Sequence, residues 1–200
     1  MTTSSYVRVA ILALLMPFAF LASAQEEAPD PELVKRGQDL YYNVAGTGCV
    51  TCHGVAGLGD IGIGPNIRGV PVVRIEGALD AAEEMAFLHP VLSEDDLVAL
   101  EAYLAYVETL VPATTTVRGG AFQPDEVRLP AGQQVQLIVD NGNRSPCTLV
   151  VDGVDVQATI DGRSTGDVSW TTGSAGTQTV AYCQDEPDVQ LTVRIVEPEE

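Results

Sequence analysis

The chain has 200 residues, and its 28 Asp/Glu against 10 Lys/Arg give a formal net charge of −18 at neutral pH. A surface this negative argues against nucleic acid and anionic lipid as partners and favours a basic partner found by electrostatic steering. With 2 histidines, 3 methionines and 4 cysteines, any transition-metal chemistry rests on very few soft or imidazole ligands.

Residues 1–24 read as a secretory signal. A single charge, Arg8, precedes the apolar run from Val9 to Leu15 and on to Phe20-Leu21, and Ala22-Ser23-Ala24 before Gln25 forms a small-residue cleavage pattern. The apolar part falls short of the roughly 20 residues a membrane span needs, and no later segment is apolar enough to cross a bilayer. The expectation is export to an oxidising compartment, a bacterial periplasm. Residues 25–200 then carry 9 Lys/Arg against 28 Asp/Glu, a net −19. The acid is spread over both halves, 4 against 15 in residues 25–112 and 5 against 13 in residues 113–200.

In residues 25–112, Pro31 and Glu32 suit the first turn of a helix. Leu33, Gly37, Leu40 and Tyr41 share one face of it, with the small Gly37 fit for close approach of a second helix. That second helix is the clearest element in the chain. Ser93 and Asp96 resemble a capping box, Leu97, Leu100, Leu104, Val107 and Val111 recur at three- and four-residue steps, and Pro112 ends the run.

Between the helices lies Cys49-Val50-Thr51-Cys52-His53. Two thiols three positions apart with an imidazole directly after the second are the pattern of c-type haem attachment. Each sulfur adds to one vinyl group, and the histidine reaches the iron from the same side. The alternatives are a structural zinc site, for which no second Cys/His pair stands at the usual spacing, and a redox dithiol, for which the βαβ setting is missing. Gly54, Gly57, Gly59, Gly62 and Gly64 follow without the Lys-Ser/Thr pair of a phosphate cradle. A flexible backbone wrapping a flat, bulky cofactor accounts for them better.

This half resembles the small monohaem class I cytochromes c over residues 31–111. Besides Cys49, Cys52 and His53, the segment Gly64-Pro65-Asn66-Ile67-Arg68-Gly69 is similar to the family's G-P-x-L-x-G, and Gly37/Tyr41 and Leu100/Tyr103 match its contact between first and last helices. The resemblance implies an all-α cytochrome c fold, one covalent haem c, and a Pro65 carbonyl that accepts a hydrogen bond from the proximal His53. It also implies a distal ligand just before the last helix. Met85 stands there and is the only methionine after the signal; His89 is the only other histidine and the rival ligand. Met85-Ala86-Phe87 departs from the family's M-P-x-F, and the short interval from His53 implies a reduced distal loop. A His/Met pair fills both axial sites and raises the reduction potential, which implies reversible one-electron transfer.

Past Pro112 the period changes. Short β-type runs at Thr114–Val117, Glu126–Leu129, Gln134–Asp140, Thr148–Val151, Val168–Thr171, Gln178–Tyr182 and Val189–Ile195 alternate with Gly119-Gly120, Pro130-Ala131-Gly132, Asn141-Gly142, Asp152-Gly153 and Asp161-Gly162. Such spacing predicts a Greek-key β-sandwich over residues 113–200, joined to the helical half by a linker of a few residues.

This half resembles the cupredoxins. Phe122-Gln123-Pro124-Asp125-Glu126-Val127 with Pro130-Ala131-Gly132-Gln133-Gln134-Val135 is similar to the family's first strand pair, and Gly176-Thr177 with Tyr182-Cys183 to its G-T-Y…C strand. The copper ligands are missing. Cys147 stands where the resemblance puts the first histidine, neither His nor Met follows Cys183, and residues 113–200 contain no histidine. A type 1 site needs two histidines and a cysteine, so no copper is expected. By the resemblance Cys147 and Cys183 face each other at one end of the sandwich. One reading is a disulfide in place of the metal; the other is a thiolate pair for Cu(I) or redox cycling.

The expectation is an exported electron carrier rather than an enzyme, with redox-protein partners and a metal-free β domain for docking or spacing. A cytochrome subunit of a larger oxidoreductase and a haem-based gas or redox sensor are the alternatives.

Overall fold

A computed structural model describes residues 30–198; the signal reading of residues 1–24 lies outside them. No helix among the described residues is long and apolar enough to cross a membrane.

The N-terminal part is helical. α1 (Pro31–Asn43) starts where Asp30 accepts the Glu32 N–H at 3.0 Å, and α4 (Glu94–Glu108) starts with Ser93 and Asp96 in a reciprocal capping box. Between them lie the single-turn α2 (Val50–His53) and α3 (Val72–Ala81); the sequence reading did not anticipate α3. α1 and α4 pack against each other at Gly37, where a Cβ would overlap the Ala99 carbonyl and come within 2.8 Å of the Tyr103 Cβ. Tyr41, Leu97, Leu100, Leu104 and Val107 form the core beneath this crossing.

The end of α4 differs from the sequence expectation. The helix stops at Glu108, and Val111 and Pro112 already belong to β1 (Val111–Arg118). A residue before proline is biased away from helical geometry, so Val111 extends although its spacing fits the helix. The link between helix and sandwich is therefore Thr109-Leu110 alone.

The C-terminal part is a two-sheet sandwich, and the predicted all-β class holds for it. One sheet runs β2 (Ala121–Gln123), β1, β4 (Gln134–Asn141), β7 (Ser164–Thr171). The other runs β3 (Glu126–Pro130), β9 (Glu186–Val196), β8 (Gln178–Cys183), β5 (Cys147–Val151), β6 (Gln157–Ile160). β1 with β4 and β3 with β9 are parallel pairs and the rest antiparallel. Val135, Leu137 and Val139 of β4 meet Leu149, Leu191 and Val193 in the core between the sheets.

The outer face of β4 is unusual. Alternation turns Gln136 and Ile138 away from that core, yet each is only 1% exposed. The outer face of a sandwich is ordinarily solvated; here Arg68 of the helical part reaches Gln136, and Tyr42 reaches Asp167 on the neighbouring β7.

Candidate functional site

Cys49 precedes α2 as its N-cap and His53 ends it, so the C-x-x-C-H sequence occupies one helical turn. His53 is buried, and its Nδ1 lies 2.8 Å from the Pro65 carbonyl oxygen. A carbonyl only accepts, so Nδ1 carries the hydrogen and Nε2 keeps a free lone pair. The loop from Gly54 to Pro65 folds back on this turn, with the Gly59 N–H donating to the His53 carbonyl at 2.9 Å and the Gly64 N–H to the Cys52 carbonyl at 2.8 Å. A Cβ on Gly64 would sit 2.7 Å from the His53 ring. Only glycine lets the backbone lie this close to the imidazole.

Beside the turn is a cavity of about 330 Å³ whose wall includes Cys49, His53, Pro65 and Met85, with Ile75 and Leu100 among the apolar groups completing it. Burial pushes the Cys49 thiol up to about 11, which keeps it neutral at physiological pH. Cys49 and Cys52 are both free thiols, and Cys52 is not part of the wall. Tyr41 backs the cavity and donates its hydroxyl to the Gly54 carbonyl at 2.5 Å; burial raises its pKa beyond the working range.

Met85 comes immediately before a short 3₁₀ turn (Ala86–Leu88) and is partly buried against the helical core. His89 turns elsewhere. It is largely exposed, with Nε2 3.4 Å from Asp80 Oδ1, and it is not part of the cavity wall. Among the described residues, no three His, Cys, Asp or Glu side chains gather as a metal cluster, so the zinc alternative for Cys49 and Cys52 finds no further ligands.

Cys147 opens β5 and Cys183 closes β8, and the two form a disulfide, with Cα atoms 5.1 Å apart. Bonded sulfurs offer no thiolate, which removes the thiolate-pair alternative in this state. Nearby, the fully buried Asn141 ties the loop together by donating to the carbonyls of Ser145 (2.9 Å) and Ile160 (3.1 Å). A larger open groove of about 970 Å³ runs along β2 and β9; it is lined in part by Phe122-Gln123-Pro124-Asp125 and by none of the candidate ligands or cysteines.

Sequence reasoning missed the polar junction between the two parts. Arg68 donates to the carbonyls of Ala56 (3.3 Å), Leu110 (2.5 Å) and Val107, and to the Gln136 side-chain oxygen at 3.4 Å. Gln136 in turn donates to Asp167 at 2.9 Å, and the Tyr42 hydroxyl lies 3.3 Å from both Asp167 and the Val55 carbonyl. The one available signal was a polar residue, Gln136, inside the apolar run of β4.

No family model matches the chain, and no curated protein matches it. Among solved structures it is similar to the metal-binding domain of a Cu(I)-exporting P-type ATPase from Streptococcus pneumoniae, at 12% identity over 43% of this chain and 85% of that one, with a TM-score of 0.39. It is similar to auracyanin A, a blue copper protein of Chloroflexus aurantiacus, at 16% identity over 42% and 98%, TM-score 0.36. It is also similar to reduced auracyanin of Roseiflexus castenholzii, at 10% identity over 44% and 98%, TM-score 0.38. Each of these likenesses spans less than half of the chain.

Proposed function

We propose that this chain is an exported electron-transfer protein whose helical part has the cytochrome c fold and holds one haem c. Cys49 and Cys52 would hold the group through thioether bonds, and His53 and Met85 would bind its iron. The observation that carries this reading is the buried His53, its Nδ1 engaged by the Pro65 carbonyl at 2.8 Å, on the wall of an apolar cavity shared with Cys49 and Met85. When bound, haem supplies a reversible one-electron couple.

The chain's own residues do the rest. The Pro65 carbonyl fixes the ring orientation of His53 and raises the basicity of Nε2. The Met85 thioether, a soft donor, would favour the reduced metal. The apolar wall excludes water, and the acidic surface draws a basic redox partner whose affinity falls as salt rises. The β-sandwich, without copper histidines and cross-linked by Cys147–Cys183, serves as a docking or spacing module in the periplasm.

Optical spectra of the exported protein, oxidised and reduced, with and without carbon monoxide, test this. A low-spin spectrum with a methionine–ferric charge-transfer band and no response to carbon monoxide is expected. Absence of haem overturns the reading, and a carbon monoxide-reactive haem replaces the carrier with a sensor.

A further inference from the structure

The helical part and the sandwich meet through more than a linker. Arg68 lies three residues after Pro65, in the segment that supplies the carbonyl for His53. The Gly69 N–H donates to the Leu104 carbonyl and the Ile67 N–H to the Gly57 carbonyl, each at 2.9 Å, so this segment is stitched to both α4 and the loop after α2. The guanidinium then fills the end of α4, where the last carbonyls have no partner within the helix. Its Nη1, which also donates to the Ala56 carbonyl, reaches Gln136 on the outer face of β4.

Gln136 is 1% exposed, and its amide is used at both ends. Its oxygen accepts from Arg68 and its nitrogen donates to Asp167, so the amide cannot flip without setting its NH₂ group against the guanidinium and its oxygen against the carboxylate. Asp167 in turn faces the Tyr42 hydroxyl of α1, which also lies beside the Val55 carbonyl two residues after His53. Two polar paths thus run from the sandwich to the two segments that flank the imidazole.

We propose that Gln136 and Asp167 are positioning residues for the haem-binding loop, acting through Arg68 and Tyr42 on the Pro65 carbonyl and hence on His53. The sandwich is then a fixed support that sets the hydrogen bond to the proximal ligand. This rests on the haem reading above. A weaker Nδ1 bond makes His53 a poorer donor and stabilises the ferric iron less, so loosening the support raises the midpoint potential.

The test uses the full-length holoprotein with Gln136→Leu and Asp167→Asn, and with Glu126→Gln as control. Glu126 pairs with Arg194 at 2.8 Å and stands on β3, the edge strand of the sheet that contains neither Gln136 nor Asp167. Midpoint potential and the g-values of the low-spin ferric haem are measured beside thermal stability. Both junction variants are expected to stay low-spin, to shift the potential upward and to change the g-values, while the control moves neither. Asp167→Asn, the milder change, serves if Gln136→Leu does not fold. Unchanged potentials and g-values in a haem-loaded junction variant, whatever its stability, overturn the proposal. A wild-type protein without haem overturns the reading beneath it instead.

Discussion

The Gly64 α-carbon packs against the His53 imidazole so closely that a methyl group placed there would lie 2.7 Å from the ring. The same loop brings the Pro65 carbonyl onto Nδ1. Replacing Gly64 by Ala must therefore move either the loop or the ring. Overpacking of this kind costs about 1–3 kcal/mol. The expected outcome is a lower fraction of haem-loaded protein and a lower melting temperature; a variant that loads fully with an unshifted melting point would contradict the close packing.

Met85 and His89 separate by position. Met85 lines the cavity, whereas His89 faces Asp80 at the surface. Met85→Ala is expected to abolish the methionine–ferric charge-transfer band and open the iron to carbon monoxide. His89→Ala should leave both spectra unchanged. The reverse pattern would assign the distal role to His89.

Gly37→Ala tests the crossing of α1 and α4. The added methyl group overlaps the Ala99 carbonyl, and backbone cannot rotate aside as a side chain would. A loss of about 3 kcal/mol or more in chemical denaturation is expected, from the upper end of overpacking costs. A loss below 1 kcal/mol would mean that the helices part easily.

The Cys147–Cys183 bond closes a span of 36 residues. On the chain-entropy model its removal costs about 4 kcal/mol. The double change to Ser should lower stability by that order while leaving the spectrum of the proposed haem intact, because the cavity bordered by Cys49, His53 and Met85 includes neither Cys147 nor Cys183. A spectral change on reduction would join the disulfide to the haem.

Asp167 gives a pH signature. Burial raises its pKa above the usual carboxylate value, against the lowering effect of hydrogen bonds from Gln136 and Tyr42. The folded state therefore binds the proton more tightly than the unfolded one. Asp167 contributes its stability below the unfolded pKa and loses it as pH rises through the folded pKa. Other carboxylates act oppositely: Asp96 and Glu126 are held low by their hydrogen-bond partners. The measurement is thus a difference. The stability of Asp167→Asn relative to wild type should increase as pH rises from about 4 towards neutral, and a flat difference would show that the Asp167 pKa is not raised on folding.

α1 and α4 were legible because their signals are local, whereas α3 lacks a side-chain cap and was not anticipated. Ser93 with Asp96, and Leu97 through Val107 at helical steps, specify α4 almost unaided. Its last turn was not legible, because Val111 fits the helical period while Pro112 directs it into a strand. β2 and β6, at three and four residues, are too short to display alternation. In the candidate site, the C-x-x-C-H turn and the segment from Gly64 to Gly69 were visible as motifs. Arg68 was visible only as a motif letter. Its role depends on Gln136, 68 positions later, and no local pattern encodes a contact between a helical loop and the outer face of a sheet.

The burial of Ile138 and Gln136 on the far side of β4 also limits how this chain can be taken apart. A cut at Thr109-Leu110 would free an apolar side chain and a buried amide to solvent on one fragment and strip Arg68 of its Gln136 partner on the other. The halves are consequently not interchangeable cassettes. A sandwich grafted here from another protein would need its own polar counterpart to Arg68 and its own apolar tile opposite the helices.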